Sequence, residues 1–154
     1  MGIAITSTAA KEIGSTIGMN RTAETSPYQK SWVASQENDL VQARAAIKAR
    51  DFESLAEVSE HSCLKMHALA MSARPGLIYW NGATVEGMRC ARALRAQGVA
   101  VFFTVDAGPQ LKAVCLPEAL PKVSAALRGL SGVLDVVETG LGAGARVLEP
   151  GELK

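Results

Sequence analysis

The sequence contains few aromatic residues, few cysteines and no excess of charge of either sign. Of its 154 residues, 5% are Phe, Trp or Tyr and three are Cys, and 16 Lys and Arg offset 15 Asp and Glu to a net charge of +1. So few cysteines exclude a disulfide-rich scaffold, and a hydrophobic content of 48% excludes an intrinsically disordered chain. The balanced charge argues against nucleic acid or an acidic membrane as a partner, because both bind basic surfaces.

Long hydrophobic runs are missing as well. No stretch reaches the roughly 18 consecutive apolar residues of a transmembrane helix, and the N-terminus lacks a signal-peptide pattern. Cys63, Cys90 and Cys115 cannot all pair and show no Cys-x-x-Cys spacing, so we expect reduced thiols in a cytoplasmic protein. The first residues, MGIAIT, match the short N-myristoylation template, although their β-branched side chains favour a strand.

The first third of the chain predicts a strand, a loop and a helix. The strand covers the first six residues, and the polar residues 7–26 predict a long ordered loop because periodic apolar residues are missing there. A helix is predicted from Pro27, with Ser26 as its candidate N-cap. Its apolar residues recur at seven-residue spacing: Val33, Leu40 and Ile47.

The remaining pattern predicts helices grouped beside strands. A second helix, capped by Asp51 and stopped by Pro75, forms an antiparallel hairpin with the first. A third is predicted over 84–97 with Gly98 as C-cap, and a fourth opens near Pro117. Strands are predicted over 99–105, 111–116, 133–138 and 145–149. We therefore expect an α+β two-layer domain, with one antiparallel sheet covered by helices.

Asp106 is the most informative carboxylate of the chain. It ends the seven-residue apolar run 99–105, which predicts a position at the mouth of the core rather than on a solvated face. Burial and neighbouring cations tune a carboxylate in such a position, so that it can serve as a general base. The following Ala107, Gly108 and Pro109 also suit an ordinary turn between paired strands, and the residues alone favour that alternative.

Residues 11–19, KEIGSTIGM, combine a cation, hydroxyls and glycines. Lys11, the Ser15 hydroxyl and exposed backbone amides are the donors that a phosphate requires. The spacing is not that of a Walker loop, in which Lys directly follows the glycines. A solvated lysine beside loop-capping hydroxyls is the simpler interpretation of these residues alone.

Three residues of the second helix invite a metal-site interpretation. His61, Cys63 and His67 are separated by two and four positions, so His61 lies away from the face that the other two share. We therefore expect no zinc site, and a core position for His67. The alternating glycines of 140–144 lack the spacing of a dinucleotide fingerprint and predict a turn.

Four segments together resemble one enzyme family. In chain order they are KEIGSTIGMNRTAETS at 11–26, AIKARDFESLAEV at 46–58, KMHA at 65–68 and FFTVDAGPQ at 102–110. They resemble the C-terminal half of diphosphomevalonate decarboxylase, in the superfamily of galactokinase, homoserine kinase, mevalonate kinase and phosphomevalonate kinase. The likeness extends roughly from Ile3 to Leu148. It implies a C-terminal decarboxylase domain over 1–149. The last residues, 150–154, are expected to form a frayed tail because chain ends are commonly poorly ordered.

The resemblance also implies a reaction. In that family ATP, with Mg²⁺, phosphorylates the 3-hydroxyl of mevalonate 5-diphosphate, and the new phosphate leaves with CO₂ to give isopentenyl diphosphate. Asp106 would then orient or deprotonate the 3-hydroxyl, with residues 107–109 supporting it. Gln110 departs from the Asn usual after this motif. The substrate's phosphate-bearing end would be bound by a loop comprising Lys11, Ser15, Thr16, Gly18 and Met19.

The N-terminal half of the family has no counterpart in this sequence. That half carries the nucleotide loop and the arginine that binds the substrate carboxylate, so we expect this chain to need an N-terminal domain for ATP binding and activity. The resemblance further implies a cytoplasmic homodimer. Two alternatives remain: a phosphomevalonate decarboxylase or mevalonate 3-kinase with the same fold, and a non-catalytic dimerisation or interaction domain.

Overall fold

A single antiparallel sheet organises the part of the chain that the computed structural model describes, residues 1–148. Four strands lie in the order β2-β3-β1-β4. In chain order the elements are β1 (Gly2–Ile5), α1 (Ser15–Thr25), α2 (Gln29–Ala49), α3 (Phe52–Ser72), α4 (Gly82–Ala96), β2 (Val101–Val105), β3 (Leu111–Cys115), α5 (Leu120–Arg128) and β4 (Asp135–Glu138). A short 3₁₀ turn, Pro117–Ala119, precedes α5. The predicted α+β class is confirmed.

The hydrophobic core lies between one face of this sheet and helices α4 and α5. Alternate strand residues point to this face, as the period of a strand requires. The strand residues Phe103, Leu111 and Ala113 are almost completely buried there, and they pack against helical side chains such as Leu94 and Leu127. None of the helices within residues 1–148 combines the length and apolarity that crossing a bilayer requires.

Helix α3 covers the edge of the sheet that β2 leaves unpaired. The Phe103 N–H donates to Glu60 Oε1 (3.4 Å), and the Val105 N–H donates to Cys63 Sγ (3.3 Å). The Val105 carbonyl lies 3.0 Å from His67 Nε2. Because an uncovered strand edge is a site of aggregation, these side chains both satisfy and protect β2.

A buried charge cluster fastens α4 to the same edge. The Glu60 carboxylate, which is buried, accepts bonds from Arg95 (2.7 Å) and Arg92 (3.1 Å), both on α4. A buried carboxylate is tolerated only when it is paired and hydrogen-bonded, and Glu60 meets both conditions. The bond to Glu60 also raises the pKa of the Arg95 guanidinium.

The predicted loop over 7–26 is wrong in its second half, which forms α1. This helix buries only small residues, Gly18 and Thr22, so it has no apolar repeat that the sequence pattern could reveal. Its hydroxyls bond within the helix, since Thr22 Oγ1 donates to the Gly18 carbonyl and Thr25 Oγ1 to the Arg21 carbonyl. The interior polar residues of α1 are therefore satisfied without a loop.

The other predicted elements shift at their ends. Asp51 caps α3 as predicted, by accepting the Ser54 N–H at 3.0 Å, and α2 and α3 form the predicted hairpin. Ser26 does not cap α2; it follows α1 as its C-cap, and Tyr28 precedes α2.

Residues 145–148 form no strand, and Glu149 and the predicted tail lie outside the described residues. Cys63, Cys90 and Cys115 are free thiols, as predicted.

The buried imidazole of His67 predicts an acid-sensitive stability. Burial lowers the pKa of His67 below its usual 6.5. Between the lowered and the usual value, the unfolded chain binds a proton that the folded chain does not, so stability falls as the pH falls below about 6.5. We expect urea unfolding to show that the free energy of unfolding decreases from pH 7.5 to pH 5.5. In the His67→Gln variant this decrease should be smaller, by up to about 1.4 kcal/mol per pH unit.

His61 provides the matched control, because it lies on the same helix with an exposed side chain. His61→Gln should keep the pH dependence of the unmodified chain. An unfolding free energy that falls with pH as steeply in the His67→Gln variant as in the unmodified chain would contradict the role assigned to the buried ring.

Candidate active site

Asp106 lies directly after β2, where its side chain is 80% exposed. The expectation that it sits at the mouth of the core is wrong. Val105 points into the core, so strand alternation directs the next side chain to the open face of the sheet. On that face Asp106 Oδ2 accepts a bond from Lys112 Nζ of β3 at 2.6 Å. The carboxylate is therefore accessible to a ligand and held by a cation.

The turn that follows Asp106 is fastened to the end of β1. The Gln110 side-chain amide bonds both ways, because its Oε1 accepts the Thr6 N–H at 2.7 Å and its Nε2 donates to the Ser7 carbonyl at 2.6 Å. The Thr6 hydroxyl donates to the Pro109 carbonyl at 2.9 Å. Gln110, the departure from the family pattern, thus has a defined structural role here.

The start of α4 holds the same turn from another side. The Thr84 hydroxyl donates to the Pro109 carbonyl at 2.6 Å, and Asn81 Nδ2 donates to the Thr6 carbonyl at 3.1 Å. Asn81 and Thr84 also form a reciprocal capping box, which fixes the first turn of α4. The end of β1 and the start of α4 therefore hold the turn that follows Asp106.

The residues of the predicted phosphate loop lie at the start of α1. Lys11 Nζ donates to Ser15 Oγ at 3.3 Å, and Ser15, Thr16 and Met19 are exposed. Gly14 precedes the helix without a side-chain cap. The first N–H groups of a helix have no partner within it and carry partial positive charge. The loop thus presents a lysine, hydroxyls and backbone donors in one place.

A groove brings Lys11 together with Asp106, whereas Ser15, Thr16, Gly18 and Met19 do not line it. Lys11, Asp106, Gly108 and Lys112 are among the residues that line about 200 Å³ of space, and Lys11 and Gly108 also border a second groove of about 320 Å³. Two lysines and one carboxylate suit a ligand that carries both a phosphate and a hydroxyl. In the described part of the chain, His, Cys, Asp and Glu form no group of three that could hold a metal ion.

Gly18 has a packing role that the sequence did not reveal. A Cβ at this position would lie 2.0 Å from Tyr79 Oη, so only glycine lets the tyrosine pack against α1. The Tyr79 hydroxyl is buried, and within the described residues it has no hydrogen-bond partner. The ring therefore supports the first turns of α1 through contact alone.

Sequence reasoning missed several residues that shape this site. Lys112 occupies an ordinary alternating position of a strand, and its pairing with Asp106 depends on strand register. An Asn followed by a Thr three positions later, before the helical stretch at 84–97, is the capping signal that could have revealed the residues at the start of α4. The other missed residues are Thr6 and Tyr79, for which the sequence offers no local signal.

Known structures share this arrangement of helices and strands. The mevalonate diphosphate decarboxylase from Staphylococcus aureus superposes with a TM-score of 0.82 at 27% identity, over 88% of this chain and 41% of that one. The mevalonate diphosphate decarboxylase from Enterococcus faecalis, in a structure that concerns its mevalonate diphosphate mediated ATP binding mechanism, superposes with a TM-score of 0.76 at 32% identity. The match covers 88% of this chain and 41% of that one. The fold is therefore that of a domain found in this class of decarboxylases.

Sequence comparison gives the family. The family described as the mevalonate 5-diphosphate decarboxylase C-terminal domain matches residues 1–140, and the chain belongs to it. A phosphomevalonate decarboxylase of Haloferax volcanii is 30% identical over 110 residues, which is 71% of this chain and 33% of that protein. The resemblance is confirmed, and the chain spans only about a third to two fifths of the length of these relatives.

The contact between Gly18 and Tyr79 can be tested by a double substitution. Gly18→Ala should destabilise the fold by about 1–3 kcal/mol, because the new methyl group displaces the tyrosine. Tyr79→Phe removes the unpartnered hydroxyl, so the double variant should recover most of that loss. Urea unfolding of the unmodified chain, the two single variants and the double variant measures the coupling free energy between Gly18 and Tyr79.

Gly82 serves as the control, since a Cβ there meets nothing within 4 Å. Gly82→Ala should change the unfolding free energy by less than about 0.5 kcal/mol. If Tyr79→Phe fails to relieve the effect of Gly18→Ala, the close contact is not its cause.

Proposed function

We propose that residues 1–149 form the C-terminal half of a cytoplasmic, homodimeric enzyme that decarboxylates mevalonate 5-diphosphate to isopentenyl diphosphate, using ATP. The observation that carries the proposal is the groove in which the Asp106 carboxylate and the Lys11 ammonium both lie, within the residues that the family matches. Three free thiols are consistent with the reducing conditions of the cytoplasm.

Asp106 is proposed as the group that takes the proton of the substrate's 3-hydroxyl. Its carboxylate is exposed on the groove wall and needs no rearrangement to meet a hydroxyl there. Lys112 holds one carboxylate oxygen at 2.6 Å and leaves the other free to accept a hydrogen bond. Lys112 is thus a positioning residue, and the turn 107–109 sets the distance between Asp106 and the remainder of the site.

The start of α1 is proposed to bind the phosphate-bearing end of the substrate. Lys11 provides charge, Ser15 and Thr16 provide hydroxyls, and the free N–H groups of the first helical turn point toward an incoming anion. Gly18 and Met19 belong to the same turns, and Gly18 keeps the helix against Tyr79. The site binds one end of the substrate on α1 while Asp106 meets its middle.

ATP supplies the phosphoryl group that makes the 3-oxygen a leaving group. The described residues suit its Mg²⁺ poorly, because the one carboxylate of the groove is already paired with Lys112. We therefore assign most of the ATP and Mg²⁺ binding to an N-terminal domain. The ATP binding described for the Enterococcus faecalis enzyme, which is more than twice the length matched here, supports that division.

A monophosphate substrate is the second candidate. The relative from Haloferax volcanii is a phosphomevalonate decarboxylase, and its similarity extends over 71% of this chain. Lys11 and Ser15 suit either a mono- or a diphosphate, since both end in the same phosphate oxygens. The two substrates are therefore compared in the same assay.

The proposal predicts that Asp106→Asn abolishes turnover while substrate still binds. The chain is combined with the N-terminal half of a family enzyme and supplied with ATP, Mg²⁺ and either mevalonate 5-phosphate or 5-diphosphate, and CO₂ release is measured. We expect a loss of at least about 100-fold in kcat with little change in KM, because general base catalysis contributes about 10²–10⁴-fold.

Asp135→Asn is the matched control, because it removes an exposed carboxylate at the start of β4, far along the sheet from β2. It should leave kcat unchanged. A near-normal rate in the Asp106→Asn variant would refute the role of this carboxylate. The non-catalytic alternative would be favoured by a lack of CO₂ release in every mixture that binds both ATP and the phosphorylated mevalonate.

A further inference from the structure

Lys112 lies on the open face of the sheet with a single charged neighbour among residues 1–148, the Asp106 carboxylate. Its Nζ donates to Asp106 Oδ2 at 2.6 Å, and its side chain is only 26% exposed. Its partners across the sheet, Thr104 on β2 and Ile3 on β1, carry no charge. Within the described residues the charge of Lys112 is therefore balanced by Asp106 alone.

A second ammonium group lines the same groove at a different place. Lys11 donates to Ser15 Oγ at 3.3 Å and lies over Gly108, where a Cβ would be 3.9 Å from its Nζ. Both lysines border the groove of about 200 Å³ that contains Asp106. The groove thus presents one cation beside Gly108 and another beside the carboxylate.

The proposed reaction places two phosphates beside these two cations. The substrate arrives with a phosphate at its 5-end, for which Lys11 and Ser15 are the proposed partners, and it gains a second phosphate on O3. In that step the O3–P bond forms, the P–O bond to ADP breaks, and the proton of the 3-hydroxyl passes to Asp106. A neutral acid then lies beside Lys112, and a new anion lies on the oxygen that Asp106 contacted.

We infer that Lys112 changes partner at this point, from the Asp106 carboxylate to the new 3-phosphate, and is a catalytic residue for the loss of CO₂. This role rests on the proposed function, because it requires Asp106 to accept the proton. An ammonium group that loses its counterion inside a closed groove is costly unless another anion replaces it. The phosphate on O3 is that anion, since O3 is within hydrogen-bond reach of Asp106 when the proton moves.

The second step then gives Lys112 its catalytic effect. The C3–O3 bond breaks and its electron pair leaves with the phosphate, while the C1–C2 bond breaks and its pair forms the C2=C3 double bond as CO₂ departs. Negative charge therefore grows on the phosphate oxygens, where the Lys112 ammonium stabilises it. The proton on Asp106 passes to water once the phosphate has left, and the ion pair forms again.

The kinetic test uses this chain combined with the N-terminal half of a family enzyme, and rapid-quench measurement of ADP and CO₂ in a single turnover. Lys112→Gln keeps a hydrogen-bond donor for Asp106 but removes the charge. It should slow CO₂ release at least about 100-fold, because one oriented donor to a developing oxyanion contributes about 10²–10³-fold. ADP formation should slow by a far smaller factor, so the 3-phosphorylated acid should accumulate.

Two further variants control for the change of side chain. Lys112→Arg keeps the charge and should release CO₂ faster than Lys112→Gln. Lys122→Gln removes an exposed lysine of α5, on the covered side of the sheet, and should leave both rates unchanged. If Lys112→Gln slows ADP formation and CO₂ release by the same factor, Lys112 only positions Asp106 and the change of partner is refuted.

A binding measurement tests the same change of partner without turnover. The probe is the 1,3-bisphosphate of 3-methylbutane-1,3-diol, which matches the phosphorylated intermediate without its carboxyl group and cannot lose CO₂. Asp106→Asn represents the protonated acid. In isothermal titration of the 154-residue chain at low ionic strength, this variant should bind the bisphosphate about fivefold more tightly than the unmodified chain, because no carboxylate competes for Lys112.

The gain in affinity should disappear in the double variant that also carries Lys112→Gln. The 1-monophosphate of the same diol, which lacks the 3-phosphate, should bind to all three proteins equally. If the monophosphate binds but Asp106→Asn brings no gain for the bisphosphate, or a gain that persists without Lys112, the change of partner is refuted and the phosphate site at α1 stands. A chain that binds neither probe refutes that phosphate site as well.

Discussion

The unpaired edge of β2 is the constraint on which this fold depends. A sheet whose outermost strand presents free backbone groups must cover them, and α3 does so with three side chains, Glu60, Cys63 and His67. Helices α1 and α2 pack in turn on α3, and Glu60 attaches α4 through two arginines. Covering one strand edge therefore arranges four helices, and it holds β2 in the position where its last residue leads to Asp106.

The site adds a second constraint, which acts through the turn at 106–110. Hydrogen bonds from Thr6 and Thr84 converge on the Pro109 carbonyl, and the Gln110 amide bonds two backbone groups beyond β1. The bonds that involve Thr6 and Ser7 join residues about a hundred positions apart in the chain. An exposed turn would otherwise be mobile, and the network gives it the rigidity that the proposed role of Asp106 requires.

The sequence predicted most of the fold because the signals were local. The apolar run before Asp106, the cap at Asp51 and the glycine and proline stops each depend on neighbouring residues, and the structure places elements close to where they indicate. Helix α1 escaped because its buried side consists of Gly18 and Thr22, which carry no hydrophobic period. The exposure of Asp106 was mispredicted because side-chain direction at a strand end follows alternation rather than the hydrophobicity of the preceding residues.

The long-range part of the site could be predicted only through resemblance. Nothing local in the sequence brings Lys11 to the same groove as Asp106, or Lys112 beside it, because both depend on how β1, β2 and β3 align. The family motifs predicted that Lys11 and Asp106 share a site, but they did not predict that Lys112 lies beside Asp106. The resemblance likewise implied a role for the loop at 11–19, whose residues alone favoured an ordinary solvated loop.

The exposure of Asp106 has a consequence for how such a half-enzyme works. An ion pair in water, as between Asp106 and Lys112, contributes only about 0–1 kcal/mol, because solvent screens the charges. The same charges interact several times more strongly once water is excluded. If the proposed N-terminal domain closes over the groove, it therefore does more than bring ATP. By removing water it would strengthen the ion pair that orients the Asp106 carboxylate, while the turn beneath keeps the carboxylate in place during closure.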